Sequence, residues 1–362
     1  MYYILFSGLK VVFHKKPSYL DTIETTDAVK NGLHPLPLLG LEVVRRVEKI
    51  LKDVSASGKE RPWAKRKGQA LLVADSFKRL GYGYRYVRIT QCGEELRFRV
   101  CLNDGYKKLY HANFCRDRLC PMCNWRRSLK IGGNVYKIVS SLEKFSFIHL
   151  VVTQKNVVPD QLKVEVDKLY HAWSKMRKVK KWRSSIKGYV RCLEITHNVD
   201  VDTYHPHFHI LLAVNPSYFK KSDTYITKQE FSEMWRDALG IDYDPVTYVR
   251  KVSDNRKAGA VAEVSKYSCK PGDYIFEDLE MMDETISVLA DVLAGRRLMA
   301  YGGVIREKRK ELKIADEEAK NADLVNVDGD KEEEILCPEC QTALQKVIYA
   351  WNPGYHQYTK RP

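Results

Sequence analysis

The chain has 362 residues, 44% of them hydrophobic, so it is too long for one small module and can bury a sizeable core. Lysine and arginine number 61 against 46 acidic residues, and the net charge of +15 makes nucleic acid or an anionic membrane surface the expected partner. No run of about 18 apolar residues occurs, which excludes a membrane-spanning helix. The nine cysteines are unevenly placed, which argues against a secreted disulfide framework and favours a reducing cytoplasm.

Residues 1–85 form an N-terminal accessory region in which we find no chemical motif. Residues 1–13 are apolar but lack the leading basic segment of a signal peptide, so we predict a strand or a short core segment there. Further along, the alternation of apolar and polar residues over 86–100 predicts a β-hairpin that turns near Gly93 and Glu94.

Residues 86–135 are rich in cysteine and predict a structural zinc site that braces a DNA-contacting segment. Three thiols have a zinc-compatible spacing, and a tetrahedral site needs one more ligand. The predicted ligands are Cys115, Cys120, Cys123 and Cys92, with Cys101 or His111 as alternatives for the fourth position. Neighbouring arginines favour the thiolate form of these cysteines, whereas the alternative is a group of buried thiols that bind no metal.

Residues 136–278 form the next predicted domain, in which helical and strand patterns alternate. The predicted strands are 147–153, 188–197 and 205–214. Four helices are predicted. The first, 125–142, begins in the Cys-rich segment, and the second is 160–181. The third starts at the capping box of Thr227 and Glu230, and the fourth, 256–269, ends before Pro271.

Three histidines alternate along the predicted strand 205–214. Because side chains of a strand point to opposite faces in turn, His205, His207 and His209 share one face. Glu194 on the preceding strand can add a carboxylate beside them. Two imidazoles and one carboxylate suit Mn²⁺ or Mg²⁺ in a nuclease, with water and phosphate oxygens in the remaining positions. The alternative is a group of packed histidines that bind no metal.

The predicted helix 256–269 carries a candidate nucleophile. Glu263 and Tyr267 are four residues apart and share a helical face, on which Lys270 lies three residues further. A tyrosine hydroxyl can attack phosphorus when a metal polarises the phosphate and a cation stabilises the phenolate. A carboxylate one turn away can act as a base or activate water. The alternative is a solvated Glu–Lys face with one core tyrosine among the chain's 22.

Residues 172–191 hold eight lysines and arginines and no acid, with Trp173, Trp182 and Tyr189 between them. This composition is typical of phosphate contacts combined with base stacking, although a solvated basic helix face has the same composition. The predicted DNA-contact residues of this segment and of the Cys-rich segment are Arg126, Arg127, Lys178, Lys180, Lys181 and Arg183.

The C-terminal part of the chain differs in character from the rest. A charged helix is predicted at 279–315, followed by an acidic linker at 316–334 and a tail at 335–362. The tail carries Cys337 and Cys340, which form half of a metal site that His356 could complete.

Several of these segments together, in this order, are similar to the motifs of a known family. The chain resembles the rolling-circle replication initiators (Rep proteins) of Gram-positive bacterial plasmids, within the His-hydrophobic-His (HUH) endonuclease class. The matching segments are residues 115–127, 147–153, 193–196 with 205–212, and 263–267 with Lys270, Asp273 and Tyr274. The likeness covers roughly residues 90–275.

The resemblance implies an α+β fold with a central antiparallel sheet and flanking helices, an HUH or RRM-like palm, plus a Cys-rich zinc-binding insertion. The implied metal ligands are His207, His209 and Glu194, with His205 able to replace one of them. Tyr267 matches the tyrosine that attacks the scissile phosphate and keeps the 5′ end, and Glu263 matches the acid that directs water when a replication round ends. The first motif departs from the family at His149 and Val151, and we expect that strand to be scaffold.

The implied function is site- and strand-specific nicking of the plasmid origin through a 5′-phosphotyrosine, dependent on Mg²⁺ or Mn²⁺, with strand rejoining at termination. The implied partners are origin DNA, single-stranded or as a hairpin at the nick site, and the host helicase and replication machinery, with no membrane. Two alternatives are a zinc-stabilised DNA-binding regulator without catalysis and an HUH relaxase or transposase. A regulator would need neither the histidine strand nor Tyr267.

Overall fold

Two antiparallel sheets with flanking helices give the chain an α+β architecture. The computed structural model describes residues 49–55, 58–220, 223–266, 268–327 and 335–362. The strand predicted at residues 1–13 and the candidate nucleophile Tyr267 lie outside the described residues.

Strands and helices are numbered in chain order within the described ranges. The strands are β1 (Glu95–Val100), β2 (Lys107–Ala112), β3 (Ser146–Thr153), β4 (Ile186–Asn198), β5 (Thr203–Val214), β6 (Thr247–Val252), β7 (Met299–Gly302), β8 (Gln345–Asn352) and β9 (Gln357–Lys360). The helices are α1 (Trp63–Arg79), α2 (Gly83–Thr90), α3 (Pro121–Ser140), α4 (Pro159–Met176), α5 (Lys180–Ser185), α6 (Lys228–Leu239), α7 (Lys257–Val264), α8 (Leu279–Leu293) and α9 (Gly303–Glu311). None of the helices in these ranges is long and apolar enough to cross a membrane.

The larger sheet has the strand order β6-β3-β5-β4-β7, with β5 at its centre. Every neighbouring pair in it is antiparallel. The strands predicted at 147–153, 188–197 and 205–214 are confirmed as β3, β4 and β5, because each combines apolar and β-branched residues over a short run. The histidine strand is therefore the central strand of the sheet.

Each face of the larger sheet is covered by its own hydrophobic core. On one face, α4 and α6 pack over Phe208, Ile210 and Leu212 of β5. On the other face, α3, α7 and α9 pack over Leu211 and Ala213. Because strand side chains alternate, the odd-numbered histidines of β5 lie on the same face as α7.

The smaller sheet, with the order β2-β1-β8-β9, joins segments that are far apart in the sequence. β1 pairs with β2 on one side and with β8 on the other, where Val100 lies opposite Gln345. Trp63 of α1 packs edge-on against Phe98 of β1 and Trp125 of α3, with ring centroids 5.9 and 4.6 Å apart. The segment predicted only as a tail thus supplies two strands of a packed sheet.

The hairpin predicted at 86–100 is wrong in its first half. Residues 83–90 form α2, and the hairpin joins β1 to β2 after Val100 instead. The β-branched residues of this segment favour a strand, but the guanidinium of Arg85 binds both carboxylate oxygens of Asp117 at 2.8 and 2.9 Å. It also lies 3.8 Å from the ring centroid of Phe77. These tertiary contacts outweigh the local strand preference.

The single helix predicted at 279–315 is also wrong. α8 ends at Leu293 and α9 begins at Gly303. Between them, β7 pairs with β4 and forms the edge of the larger sheet. Gly295 and Gly303 have φ angles of +67° and +55°, which a continuing helix does not allow. The chain therefore turns twice and adds a strand to the larger sheet.

Residues 316–327, the described part of the predicted acidic linker, pack against other parts of the chain. Glu317 is 2% exposed and forms an ion pair with Arg309 at 2.7 Å. The carbonyl of Asp323 accepts a hydrogen bond from Lys130 at 2.7 Å. These acids pair with basic side chains, which composition alone does not predict.

Candidate functional site

A carboxylate and two imidazoles meet on the face of the larger sheet that α7 covers. Glu194 of β4 lies directly opposite His207 of β5 in the antiparallel register, and His209 follows on the same face. The Glu194 Oε2 atom lies 2.7 Å from Nε2 of His209 and 3.4 Å from Nε2 of His207. All three side chains are buried, and Glu194 is only 2% exposed.

The carbonyl of His205 orients the ring of His207. His207 Nδ1 lies 2.9 Å from this carbonyl oxygen, which can only accept, so Nδ1 carries the proton and Nε2 presents a lone pair towards Glu194. This tautomer is the one that binds a metal through Nε2. The ring of His205 stacks on His207 with centroids 5.0 Å apart, but it lies outside the group of converging ligand atoms.

His149 of β3, expected to be scaffold, lies against the metal-ligand candidates. Its Nε2 atom is 3.3 Å from Nδ1 of His209, and the two rings are stacked. Burial, and then the neighbouring His209, lower the pKa of His149 to about 4. A neutral His149 can accept the Nδ1 proton of His209, which leaves Nε2 of His209 to face Glu194. The odd-numbered positions of β3 and β5 share a face, and this register was the signal that could have found His149.

Lys270 completes the surroundings of Glu194. Its Nζ atom lies 2.7 Å from Glu194 Oε1. Burial opposes ionisation of Glu194, but the neighbouring His207, His209 and Lys270 outweigh it and hold the pKa of Glu194 well below its usual range. Burial likewise opposes the charge of Lys270, and contact with Glu194 raises its pKa on balance. Glu194 is therefore an anion at neutral pH, as a metal ligand must be.

The helix that carries Glu263 is shorter than predicted. α7 ends at Val264, whereas the sequence pattern predicts a helix to residue 269. The hydroxyl of Ser265 donates to the carbonyl of Val261 at 2.6 Å, a side-chain bond that competes with helix continuation. Glu263 forms an ion pair with Lys266. The described helix therefore ends one residue after Glu263, and Tyr267 lies outside the described residues.

A basic cleft opens beside the histidines. Its volume is about 580 Å³, and it connects the imidazoles to the end of α7. The charged and titratable residues that line it are His149, His209, Arg250, Lys251, Arg256 and Glu263. Cationic side chains beside the two imidazoles suit a phosphodiester substrate.

The donor set of Glu194, His207 and His209 fits a divalent cation. Their ligand atoms all lie within 4.8 Å of one another. Ligands at about 2.1 Å and right angles stand about 3 Å apart, close to the two distances from Glu194 Oε2 to the imidazoles. Two nitrogens and one oxygen suit Mn²⁺, and also Mg²⁺ when water and phosphate oxygens fill the other positions.

A second group of potential ligands, the Cys92 cluster, lies where α2, β1 and α3 meet. Its members are the buried thiols of Cys92, Cys115, Cys120 and Cys123. Sulfur–sulfur distances of 3.5, 3.6 and 3.7 Å are close to the edge of about 3.8 Å expected for a tetrahedral zinc site. The backbone N–H of Arg116 donates to the sulfur of Cys123 at 3.1 Å, and burial raises the pKa of Cys120 well above its usual value. Cys92 thus lies where a fourth ligand is needed, and Cys101 and His111 lie elsewhere.

The two predicted DNA-contact residues of α3 differ in accessibility. Arg126 is 3% exposed, and its guanidinium donates to the carbonyls of Leu324 and Val325 at 2.9 and 2.6 Å. It therefore packs the 316–327 segment against α3 and is not placed for phosphate. Arg127 is half-buried and donates to Asn124 at 2.6 Å.

The basic segment 172–191 divides into a buried and an exposed part. Trp173 and Trp182 are buried against each other, with ring centroids 5.4 Å apart, so they are core residues and not stacking platforms. Lys181 forms an ion pair with Glu230. Three of the exposed cations form the α5 basic patch, which consists of Lys178, Lys180 and Arg183.

Known proteins resemble this chain over most of its length. Residues 106–359 match the family described as replication protein. A "Protein rep" of Bacillus amyloliquefaciens is 37% identical over 337 residues, which cover 85% of this chain and 96% of that protein. A "Protein rep" of Lentilactobacillus hilgardii is 37% identical over 86% of this chain and 98% of its own length, and one of Streptococcus pneumoniae is 35% identical over 86% and 95%. No solved structure matches the chain significantly. The chain therefore belongs to the Rep family of plasmid replication initiators, as its motifs predict.

Proposed function

We propose that this Rep protein nicks one strand of its plasmid origin with Tyr267 and keeps the 5′ end as a phosphotyrosine. The observation that carries this proposal is the convergence of Glu194 with His207 and His209 of the central strand, beside a basic cleft that His209 and Glu263 line. A DNA-binding regulator without catalysis has no need of such a buried donor set. Tyr267 enters the proposal from its motif in the sequence, four residues after Glu263.

We assign Glu194, His207 and His209 to a catalytic Mg²⁺ or Mn²⁺, which when bound would polarise the scissile phosphate and favour departure of the 3′ oxygen. His205 contributes the carbonyl that orients His207. Lys270 holds Glu194 in its ionised, correctly aimed form through the 2.7 Å ion pair. We assign Zn²⁺ to the Cys92 cluster, where four thiols would hold the start of β1 against α3.

In the proposed reaction, the phenolic oxygen of Tyr267 forms a bond to phosphorus while the bond from phosphorus to the 3′ oxygen breaks. The 3′ oxygen takes up a proton and becomes the primer for the polymerase. The phosphotyrosine conserves the energy of the broken bond, so the 3′ end can later be rejoined by the reverse attack. Glu263 would direct the water that ends a replication round, which is a general-base role.

The substrate that we propose is DNA whose bases are unpaired at the nick site. Arg250, Lys251 and Arg256 line it and would contact the backbone on either side of the scissile phosphate. The partners that we propose are origin DNA, as a single strand or hairpin, and the host helicase that unwinds from the nick. The reaction takes place in the bacterial cytoplasm.

Replacement of the proposed nucleophile tests this function. The assay uses supercoiled plasmid that carries the candidate origin, with Mg²⁺ or Mn²⁺. Tyr267→Phe should abolish the covalent protein–DNA adduct. The affinity of this variant for the origin should stay within about twofold of the wild-type affinity. Tyr84→Phe, which alters a tyrosine that is 76% exposed on α2, should form the adduct at the wild-type level. An adduct from the Tyr267→Phe protein would disprove the assignment.

A further inference from the structure

A third group of potential metal ligands lies at the other end of β1 from the Cys92 cluster. This group, the Cys101 cluster, consists of Cys101, Asp104, Cys337 and Cys340. Its four ligand atoms all lie within 4.8 Å of one another, although Cys101 and Cys340 are 239 positions apart in the sequence. His356, expected from the sequence to complete this site, lies outside the cluster with its ring against Trp351.

Local backbone structure brings each half of the cluster together. In the β1–β2 turn, the N–H of Gly105 donates to the carbonyl of Cys101 at 3.1 Å, and Gly105 has a φ of +76°. Two residues separate Cys101 from Asp104, and the turn directs both side chains to the same side. In the segment before β8, Gln341 donates to the carbonyl of Cys337 at 2.9 Å, which brings the Cys337 and Cys340 thiols to one side as well. Two ligand pairs with two-residue gaps are the arrangement that structural zinc sites use.

The distances within the cluster are compatible with one small cation. The sulfur atoms of Cys101 and Cys340 are 3.4 Å apart, and the sulfur of Cys337 lies 2.9 Å from Asp104 Oδ2. A tetrahedral zinc site with sulfur ligands at about 2.3 Å has edges of about 3.8 Å, and an edge to an oxygen ligand is shorter. The hydroxyl of Thr342 is 3.0 Å from the Cys340 sulfur and 3.4 Å from that of Cys101, so it can donate to a thiolate. Three sulfurs and one carboxylate select Zn²⁺ over Mg²⁺ or Mn²⁺.

The position of the cluster indicates what a metal would do there. Cys101 and Cys337 are buried, while Cys340 and Asp104 are exposed, so a cation has access from solvent. The cluster joins the β1–β2 turn to the chain just before β8, and these are neighbouring strands of the smaller sheet. We propose that Cys101, Asp104, Cys337 and Cys340 bind a second structural Zn²⁺ that fastens β8 and β9 to β1. This proposal does not depend on the nicking reaction.

Zinc content of the full-length protein tests the proposal. Zinc per chain, measured by mass spectrometry after passage over a chelating resin, should fall by about one ion in Cys337→Ser/Cys340→Ser relative to the wild type. The difference between the two proteins is the readout, so the result is independent of whether the Cys92 cluster is filled. Cys192→Ala removes a buried thiol that belongs to neither cluster and should retain the wild-type content.

Two further measurements guard against misfolding and against a disulfide. Cys340→Ser alters an exposed ligand, so the variant should keep the wild-type circular dichroism spectrum while it binds zinc at least tenfold more weakly. Wild-type protein, denatured with chelator and without reductant, should release nine titratable thiols, the number in the sequence. Unchanged zinc content in the double variant, or about seven thiols because Cys101 and Cys340 form a disulfide, would overturn the proposal.

Discussion

At the scale of single residues, the tautomer of His209 depends on its neighbour His149. The Nδ1 atom of His209 has His149 Nε2 as a hydrogen-bond partner at 3.3 Å, and this contact leaves the other ring nitrogen to face Glu194. Groups that orient a metal-binding histidine in this way contribute strongly to metal affinity. His149 is thus a positioning residue for the metal that we propose.

We therefore expect His149→Ala to raise the dissociation constant for Mn²⁺ by roughly 10 to 100-fold, since the His209 ring loses its orienting partner. Isothermal titration calorimetry of the protein with Mn²⁺ measures this effect without DNA. His149→Gln keeps a hydrogen-bond acceptor and should recover part of the affinity, and His171→Ala, an exposed histidine on α4, should bind like the wild type. Equal affinity in the His149→Ala protein would show that the contact does not position His209.

The convergence of Glu194, His207 and His209 could be predicted from the sequence because it depends on strand parity. His207 and His209 share a face in any strand, and an antiparallel partner brings Glu194 opposite to them. The role of His149 was missed because its significance depends on which strand lies on the other side of β5, and the sequence does not specify sheet order. Arg126 was misassigned for a similar reason, since its carbonyl partners are almost 200 residues away.

At the scale of elements, the junction of β7 and α9 depends on glycine. Gly303 has a φ of +55°, and a Cβ at this position would lie 2.0 Å from the carbonyl oxygen of Lys187. The contact is with backbone, which cannot rotate away as a side chain can. Close approach of α9 to β4 therefore requires a residue without a side chain here.

Gly303→Ala should lower the free energy of unfolding by at least about 2 kcal/mol, from backbone strain and the clash together. Urea denaturation followed by circular dichroism measures this change. Gly259→Ala is the matched control, because a Cβ on this residue of α7 meets no atom within 4 Å and should stabilise the helix by about 0.5 to 1 kcal/mol. Similar stability in the two variants would contradict the requirement for glycine at 303.

Elements were predicted best where local pattern and burial agree. α6 begins at the predicted capping box, in which Thr227 accepts from the Glu230 N–H and the Glu230 carboxylate accepts from the Thr227 N–H. α2 and β7 were missed because their states are fixed by long-range contacts, the Arg85–Asp117 pair for α2 and the pairing with β4 for β7. Propensity over a short window contains no information about such partners.

At the scale of the whole molecule, the described residues include two separate groups of basic side chains. The cleft beside Glu194 has its own basic residues, and the α5 basic patch lies beyond the opposite end of β4. The nine residues from Ile186 to Glu194 span about 25 Å of strand. If the cleft holds the reacting strand as we propose, this distance places the patch where it would contact duplex DNA that flanks the proposed nick site.

Replacement of Lys178, Lys180 and Arg183 by alanine should therefore weaken binding to origin duplex and reduce its logarithmic salt slope by up to about 3. Nicking of a short single-stranded oligonucleotide should change less than about twofold, because that substrate does not reach the patch. Fluorescence anisotropy over a salt series and a gel-based nicking assay measure the two effects. A variant without Lys52, Lys59 and Lys346, which are exposed elsewhere, loses the same charge and serves as control. Equal losses on both substrates would contradict the separation.

The smaller sheet also has a consequence for synthesis of the protein on the ribosome. The hydroxyl of Tyr358 donates to the carbonyl of Gly93, 265 positions earlier, and β1 obtains its second neighbour only when β8 has been made. At about 5 to 20 residues per second, β1 has an unpaired edge on the nascent chain for roughly 10 to 50 seconds. Charged residues at Glu95, Arg97 and Arg99 alternate along this strand, and such charges discourage pairing with strands of other chains. The alternation that leaves one face of β1 polar therefore also protects the unpaired edge of the newly made strand from aggregation until β8 has been synthesised.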